Sequence, residues 1–278
     1  MGLGLLACIF ILFSVVASVI ASLLMSHMTN SYAAIRISIV LQDLFVFIIP
    51  AIATAIVITR LPARFLDIES TPKPRLLILA ILSLLAAFPV LNCIISWNEN
   101  LHLPVGFTEI ESQLRALENA AEDTFSNIIS SDSVSALILS ILIVAILAGL
   151  SEELFFRGAL QKLMLLTRMN PHVAIWITAF IFSTVHFQFF GFIPRMILGA
   201  YFGYLVWWTR CLWIPITVHI FNNSIVVISK WIEARSGQSC TIDTIGINPL
   251  DSTTSLIAIT ISILLTSYLL IILKKESK

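Results

Sequence analysis

Residues 134–157 read VSALILSILIVAILAGLSEELFFR. Eighteen residues pass without a charge before Glu152, Glu153 and Arg157 arrive in the same stretch. A helix that crosses a bilayer needs about 20 apolar residues. Each Asp, Lys or Arg near its centre costs about 2.5–3.5 kcal/mol on the insertion scale, so such charges are expected to be functional and to have partners. Candidate partners lie further along the chain, also inside apolar runs: His186, His219 and Asn223.

Composition widens the reading from one span to the whole chain. Hydrophobic residues make up 58% and charged residues 12%, against about 25% charged in a soluble domain. Mean hydropathy is +0.99. The fold class expected is therefore all-α and polytopic, because lipid leaves backbone groups no water to bond and no stretch alternates like a barrel strand. Eight spans are expected, near residues 3–24, 37–59, 76–95, 134–166, 171–190, 195–209, 211–229 and 255–273. The sixth is short, about 22 Å of helix against a core of about 30 Å. Leu5-Leu6-Ala7-Cys8 looks like a lipoprotein cleavage box, but it comes early and lacks a basic n-region, so the first segment reads as a retained span. Net charge is zero, which gives no reason to expect nucleic acid. Cys8, Cys93, Cys211 and Cys240 show no CxxC spacing and read as small buried hydrophobes.

Arg60, Arg64, Lys73, Arg75, Arg157, Lys162, Arg168, Arg210, Lys274, Lys275 and Lys278 all fall on one side of an eight-span chain. The positive-inside rule then places both termini in the cytoplasm, and the expected location is a bacterial inner (plasma) membrane. On the other side, the 96–133 segment is acidic. Thr108 and Glu111 match a capping box. Ile110, Leu114, Leu117 and Ala121 recur at helical spacing, which predicts an amphipathic helix on the outer surface. The chain divides into N-terminal membrane helices with this acidic loop (1–133) and a membrane core (134–278).

Three patterns carry chemistry. Glu153 and Arg157 are four apart with the acid first, the favoured order for a helical ion pair; Glu152 points about 100° away and stays available. Glu152 and His186 each lie seventeen residues from Met169, near the turn between the fourth and fifth spans. An antiparallel hairpin brings them level, about 25 Å from that turn. His219 and Asn223 are one turn apart, with Pro215 before them expected to kink the span. Such a set can activate water and stabilise an oxyanion. Glu152, His186 and His219 equally make a catalytic zinc set with an open position. HExxH is absent, which excludes a zincin helix. Gly199 and Gly203 form GxxxG and read as packing. Asp43 is an intramembrane acid with no evident partner, and His172 reads as an exposed residue near the hairpin turn.

The ordered patterns EExxxR from Glu152 to Arg157, FxxxH from Phe182 to His186 and HxxxN from His219 to Asn223 resemble the CPBP family. These are the CAAX proteases and bacteriocin-processing (Abi) proteins, which include the Ras-converting endopeptidases. The resemblance covers about residues 134–229. It implies a cytoplasm-facing intramembrane endopeptidase acting on a membrane-anchored protein or peptide within the lipid bilayer. By that likeness Glu152 is the water-activating base, assisted by His186. His219 and Asn223 stabilise the oxyanion, and Glu153 and Arg157 support. The rival readings are a non-catalytic immunity or scaffold protein and a proton-coupled transporter; no inverted repeat speaks for the latter.

Overall fold

Every secondary-structure element among the described residues of the computed structural model is a helix. The structure describes residues 2–28, 31–129, 133–237 and 252–278; Asp132 of the acidic loop and Cys240 lie outside them. We number the main helices α1 (Gly2–His27), α2 (Tyr32–Ile58), α3 (Pro74–Glu99), α4 (Thr108–Ile129), α5 (Val134–Leu166), α6 (Pro171–Thr184), α7 (Phe192–Thr209), α8 (Trp213–Ser236) and α9 (Ser252–Glu276). Five of them, α1, α2, α3, α5 and α9, are long and apolar enough to cross a membrane. The chain is a multi-pass membrane protein.

The other three expected spans differ from these five. α6 has only 14 residues and stops at Thr184, six residues before the expected end. Tertiary hydrogen bonds hold the turn that replaces its last stretch. Ser183 Oγ donates to Phe192 O at 2.7 Å, while Asn98 donates to Phe189 O and accepts from Ile193 N. α7 has 18 residues and α8 has 24. Pro215 is the third residue of α8. A first-turn proline removes an N–H that has no partner within the helix, so the expected kink has no basis there.

The helix ends sort into two faces. At one, Lys162 meets Asp67 at 2.6 Å and Arg75 meets Glu276 at 3.1 Å. At the other, Arg36 donates to Ile128 O at the end of α4, and Glu118 of α4 accepts from Phe190 N between α6 and α7. Thr108 does not make the expected capping box. Its hydroxyl donates to Val105 O, and Glu111 instead takes the Leu103 N–H, Arg115 and His102. The Leu103 N–H, then Arg115 and His102, hold the Glu111 carboxyl down to about 2.

α5 is the axis of the site. It is 33 residues long and holds two π-helical stretches, Ile141–Leu147 and Leu154–Gln161, on either side of the α-helical Ala148–Glu153. α2 has a third, Asp43–Ile48. π turns are rare and are frequent at functional sites.

GxxxG on α7 does more than permit packing. The Gly199 carbonyl accepts from Arg157 Nη2 at 2.8 Å, and the Gly203 carbonyl from Gln161 Nε2 at 3.0 Å. A Cβ at Gly199 would stand 3.2 Å from Ala179 Cα, a backbone atom of α6, whereas at Gly203 it would meet side-chain atoms of Gln161 and Ile175 at 2.7 and 2.9 Å. Gly199→Val is therefore expected to force α6 and α7 apart and cost at least about 1–3 kcal/mol. Gly203→Ala adds a single carbon and should cost less than this valine, with the Gln161 amide giving up Gly203 O as it yields. Thermal unfolding of the two purified variants in detergent checks the ranking.

Candidate active site

Glu153 and Arg157 form the foundation. Both side chains have 0% exposure, and Arg157 Nη1 donates to Glu153 Oε1 at 2.6 Å. The i, i+4 spacing brings them together. Arg157 is further fixed by Gly199 O and by the Phe182 ring, whose centroid is 4.5 Å from the guanidinium. Two charges in hydrocarbon persist only when paired and hydrogen-bonded in this way.

His219 of α8 rests on that pair. Its Nδ1 donates to Glu153 Oε1 at 2.9 Å, and Phe202 stacks on its ring at 4.7 Å. His186 stands on the turn after α6, with Nδ1 2.7 Å from Phe182 O and Phe182 edge-on at 5.0 Å. A carbonyl and an Arg-paired carboxylate can only accept, so both histidines carry their proton on Nδ1. In the neutral imidazoles both Nε2 atoms then keep a lone pair. Both face the same carboxylate: Glu152 Oε1 lies 4.0 Å from His186 Nε2 and Oε2 lies 3.8 Å from His219 Nε2. The hairpin spacing thus brings Glu152 and His186 level, with His219 joining from a third helix.

Asn223 has a different partner. Its amide donates to Val144 O at 3.3 Å, in the first π stretch of α5. As arranged, His219 and Asn223 are engaged with Glu153 and Val144 rather than presenting a ready pair of donors.

Chemistry and spacing give different answers for zinc. Imidazoles that donate Nδ1–H to a carboxylate and to a backbone carbonyl, with Nε2 free, have the outer-shell pattern of zinc ligands. Yet among the described residues no three His, Cys, Asp or Glu side chains are grouped so as to hold an ion.

The expected opening toward the cytoplasm finds no support in burial. On the side of the basic face the set is backed by buried Phe155, Phe156, Ala159 and Gln161. His186, 27% exposed, stands on the turn that α4 touches. Phe187 beside it has φ +52° and is 74% exposed.

Three residues without a role in the sequence patterns belong to this region. Ser151 Oγ donates to Asp43 Oδ1 at 2.9 Å, so the lone acid of α2 has a partner next to Glu152. Gln161 continues the polar row of Glu153 and Arg157 at the same four-residue step. Asp43 carried a signal as a charge in an apolar run; Ser151 and Gln161 carried none. His172 is exposed, as expected, but also meets the Tyr204 hydroxyl at 2.7 Å.

Comparison with known proteins converges on the same stretch. Residues 134–225 match the family model described as type II CAAX prenyl endopeptidase Rce1-like. The uncharacterized protein YpbD of Bacillus subtilis (strain 168) is 27% identical over 89 residues, which cover 31% of this chain and 42% of that relative. The chain therefore spans less than half the length of that relative. No solved structure matches. Residues 134–225, which contain Glu152, His186 and His219, are the part of the chain that is similar to the Rce1-like type II CAAX prenyl endopeptidases.

Proposed function

We propose that this protein is an intramembrane endopeptidase that hydrolyses a peptide bond of a membrane-anchored protein or peptide. One observation carries the reading: Glu152 lies between two Nε2 lone pairs, at 4.0 and 3.8 Å. A water molecule suits that space, since it can donate one proton to the carboxylate and the other to an imidazole. Glu152 takes a proton as the water oxygen attacks the scissile carbonyl carbon, with His186 assisting. Asn223, whose bond to Val144 is long at 3.3 Å, turns its amide to the oxyanion. Collapse breaks the C–N bond, and the proton held by Glu152 passes to the leaving amine. Glu153 and Arg157 keep His219 in the Nδ1–H tautomer. Substrate enters beside His186, past exposed Phe187 and Phe189.

The protein is read as an inner-membrane protein with both termini in the cytoplasm, on the evidence of its basic face. Entry beside His186 then lies in the opposite half of the bilayer. The test is hydrolysis of a peptide library, including lipidated C-terminal tails, by purified protein in nanodiscs. Cleavage is expected, and its response to EDTA distinguishes a Glu152-activated water from a metal-bound one. Loss in EDTA with recovery on adding zinc would transfer the water activation to a metal. Absence of any cleavage would favour a scaffold or immunity role.

A further inference from the structure

The segment that carries Glu152 is six residues of α-helix, Ala148–Glu153, set between two π-helical stretches. A π turn changes the rotation of the residues after it and weakens the regular hydrogen-bond ladder. The direction in which Glu152 points therefore has to be fixed by side chains on either side of it. On one side Glu153 is bound by Arg157 and His219. On the other, Ser151 is bound by Asp43 from α2. Among the described residues, the ion-pair contacts of Glu152 are those at 3.8 and 4.0 Å to the imidazoles, which are too long to fix a rotamer.

Asp43 is a costly way to make one hydrogen bond. It is 4% exposed, and its second oxygen, Oδ2, is buried without a protein partner. It also opens the π stretch of α2, Asp43–Ile48. A buried carboxyl group this expensive is retained for function more readily than for stability.

We infer that Asp43, through its hydrogen bond to Ser151, is a positioning residue that sets the orientation of Glu152, so that the working site extends onto α2, outside residues 134–225. This inference rests on the endopeptidase reading for its rate consequences but not for its geometric ones. The link does not require a charge. An amide at position 43 can donate to Ser151 Oγ while the hydroxyl serves Ala148 O, 3.0 Å away.

Two measurements test it. The first compares Asp43→Ala, Ser151→Ala, Asp43→Asn and the double variant Asp43→Ala/Ser151→Ala in peptide hydrolysis. Both alanine variants should lose about ten- to hundredfold in kcat with KM within about twofold, as a misaimed base does. The double variant should lose no more than either single one, since both remove the same link. Asp43→Asn should stay within about threefold of the parent. Additive losses, or an Asn variant as poor as Ala, would overturn the inference in favour of an independent or charge-based role.

The second measurement needs no catalysis. In a background with Cys8, Cys93, Cys211 and Cys240 replaced by alanine, Glu152→Cys is labelled with a small methanethiosulfonate. The labelling rate should change at least about threefold on adding Asp43→Ala or Ser151→Ala, and not on adding Asp43→Asn. Unchanged labelling in all of them overturns the inference. If the parent protein hydrolyses nothing, the endopeptidase reading fails and the labelling result alone decides the role of Asp43. Ser151→Ala is a small change, so it keeps the test open should Asp43→Ala fail to fold.

Discussion

Glu152→Gln should remove peptide hydrolysis, lowering kcat about a thousandfold, within the 10²–10⁴ range of a general base, with the thermal unfolding temperature nearly unchanged. The two halves of that expectation have separate grounds. The carboxylate stands between two histidines whose Nδ1 atoms are committed elsewhere, and an amide at its place cannot take a proton from water. Structurally, Glu152 is 13% exposed and stands 3.8 and 4.0 Å from the two imidazoles rather than in a close ion pair, so an isosteric amide leaves no closely paired charge stranded. Glu153→Gln makes the control. It removes the acceptor for Arg157 and His219 and should lower unfolding temperature and rate together. A Glu152→Gln protein with full activity would refute the assignment of the base.

What the sequence made legible was whatever depends on spacing along a single helix or across one hairpin. The ion pair of Glu153 and Arg157 follows from a four-residue step. The levelling of Glu152 with His186 follows from equal distances to the turn near Met169. The helix α4 follows from its apolar period, although Ile110 and Leu117 of that stripe stay exposed. What spacing could not give was rotation. A π turn inserts a residue's worth of twist without a composition signal, so the pairing of Asp43 with Ser151 across α2 and α5 was not readable. The same holds for Asn223, whose bond to Val144 uses a carbonyl in a π stretch. The end of α6 was also hidden. The apolar run continues to Phe190, but hydrogen bonds from Asn98, 91 residues away from Phe189 in sequence, hold a turn there. Eight apolar segments were legible as such, whereas how much bilayer each crosses depends on packing. α6 illustrates this: it is 14 residues long and runs beside α7, with Ala179 against Gly199.

Arg157→Ala should be the most destabilising single change in the core, costing about 3–5 kcal/mol, the range for stripping one partner from a buried ion pair. The guanidinium is the charge that Glu153 Oε1 faces at 2.6 Å, with both side chains at 0% exposure. Its loss leaves a carboxylate inside hydrocarbon with only His219 as a donor, and frees the Gly199 carbonyl that tied α5 to α7. The unpaired charge can be separated from the missing volume by a second substitution. Glu153→Gln on top of Arg157→Met removes both charges while an unbranched chain fills the space under Phe182. That double variant should recover a substantial part of the stability lost in Arg157→Ala, measured as the unfolding temperature in detergent, because an uncharged pair no longer carries a desolvation cost. It should not recover hydrolysis, since a neutral amide at position 153 cannot hold His219 in place as an Arg-paired carboxylate does. Stability regained without activity would assign the pair its two tasks, keeping charge tolerable in the membrane and fixing the tautomer of His219. A double variant no more stable than Arg157→Ala would instead make the α5–α7 bond to Gly199, not charge compensation, the dominant contribution of Arg157.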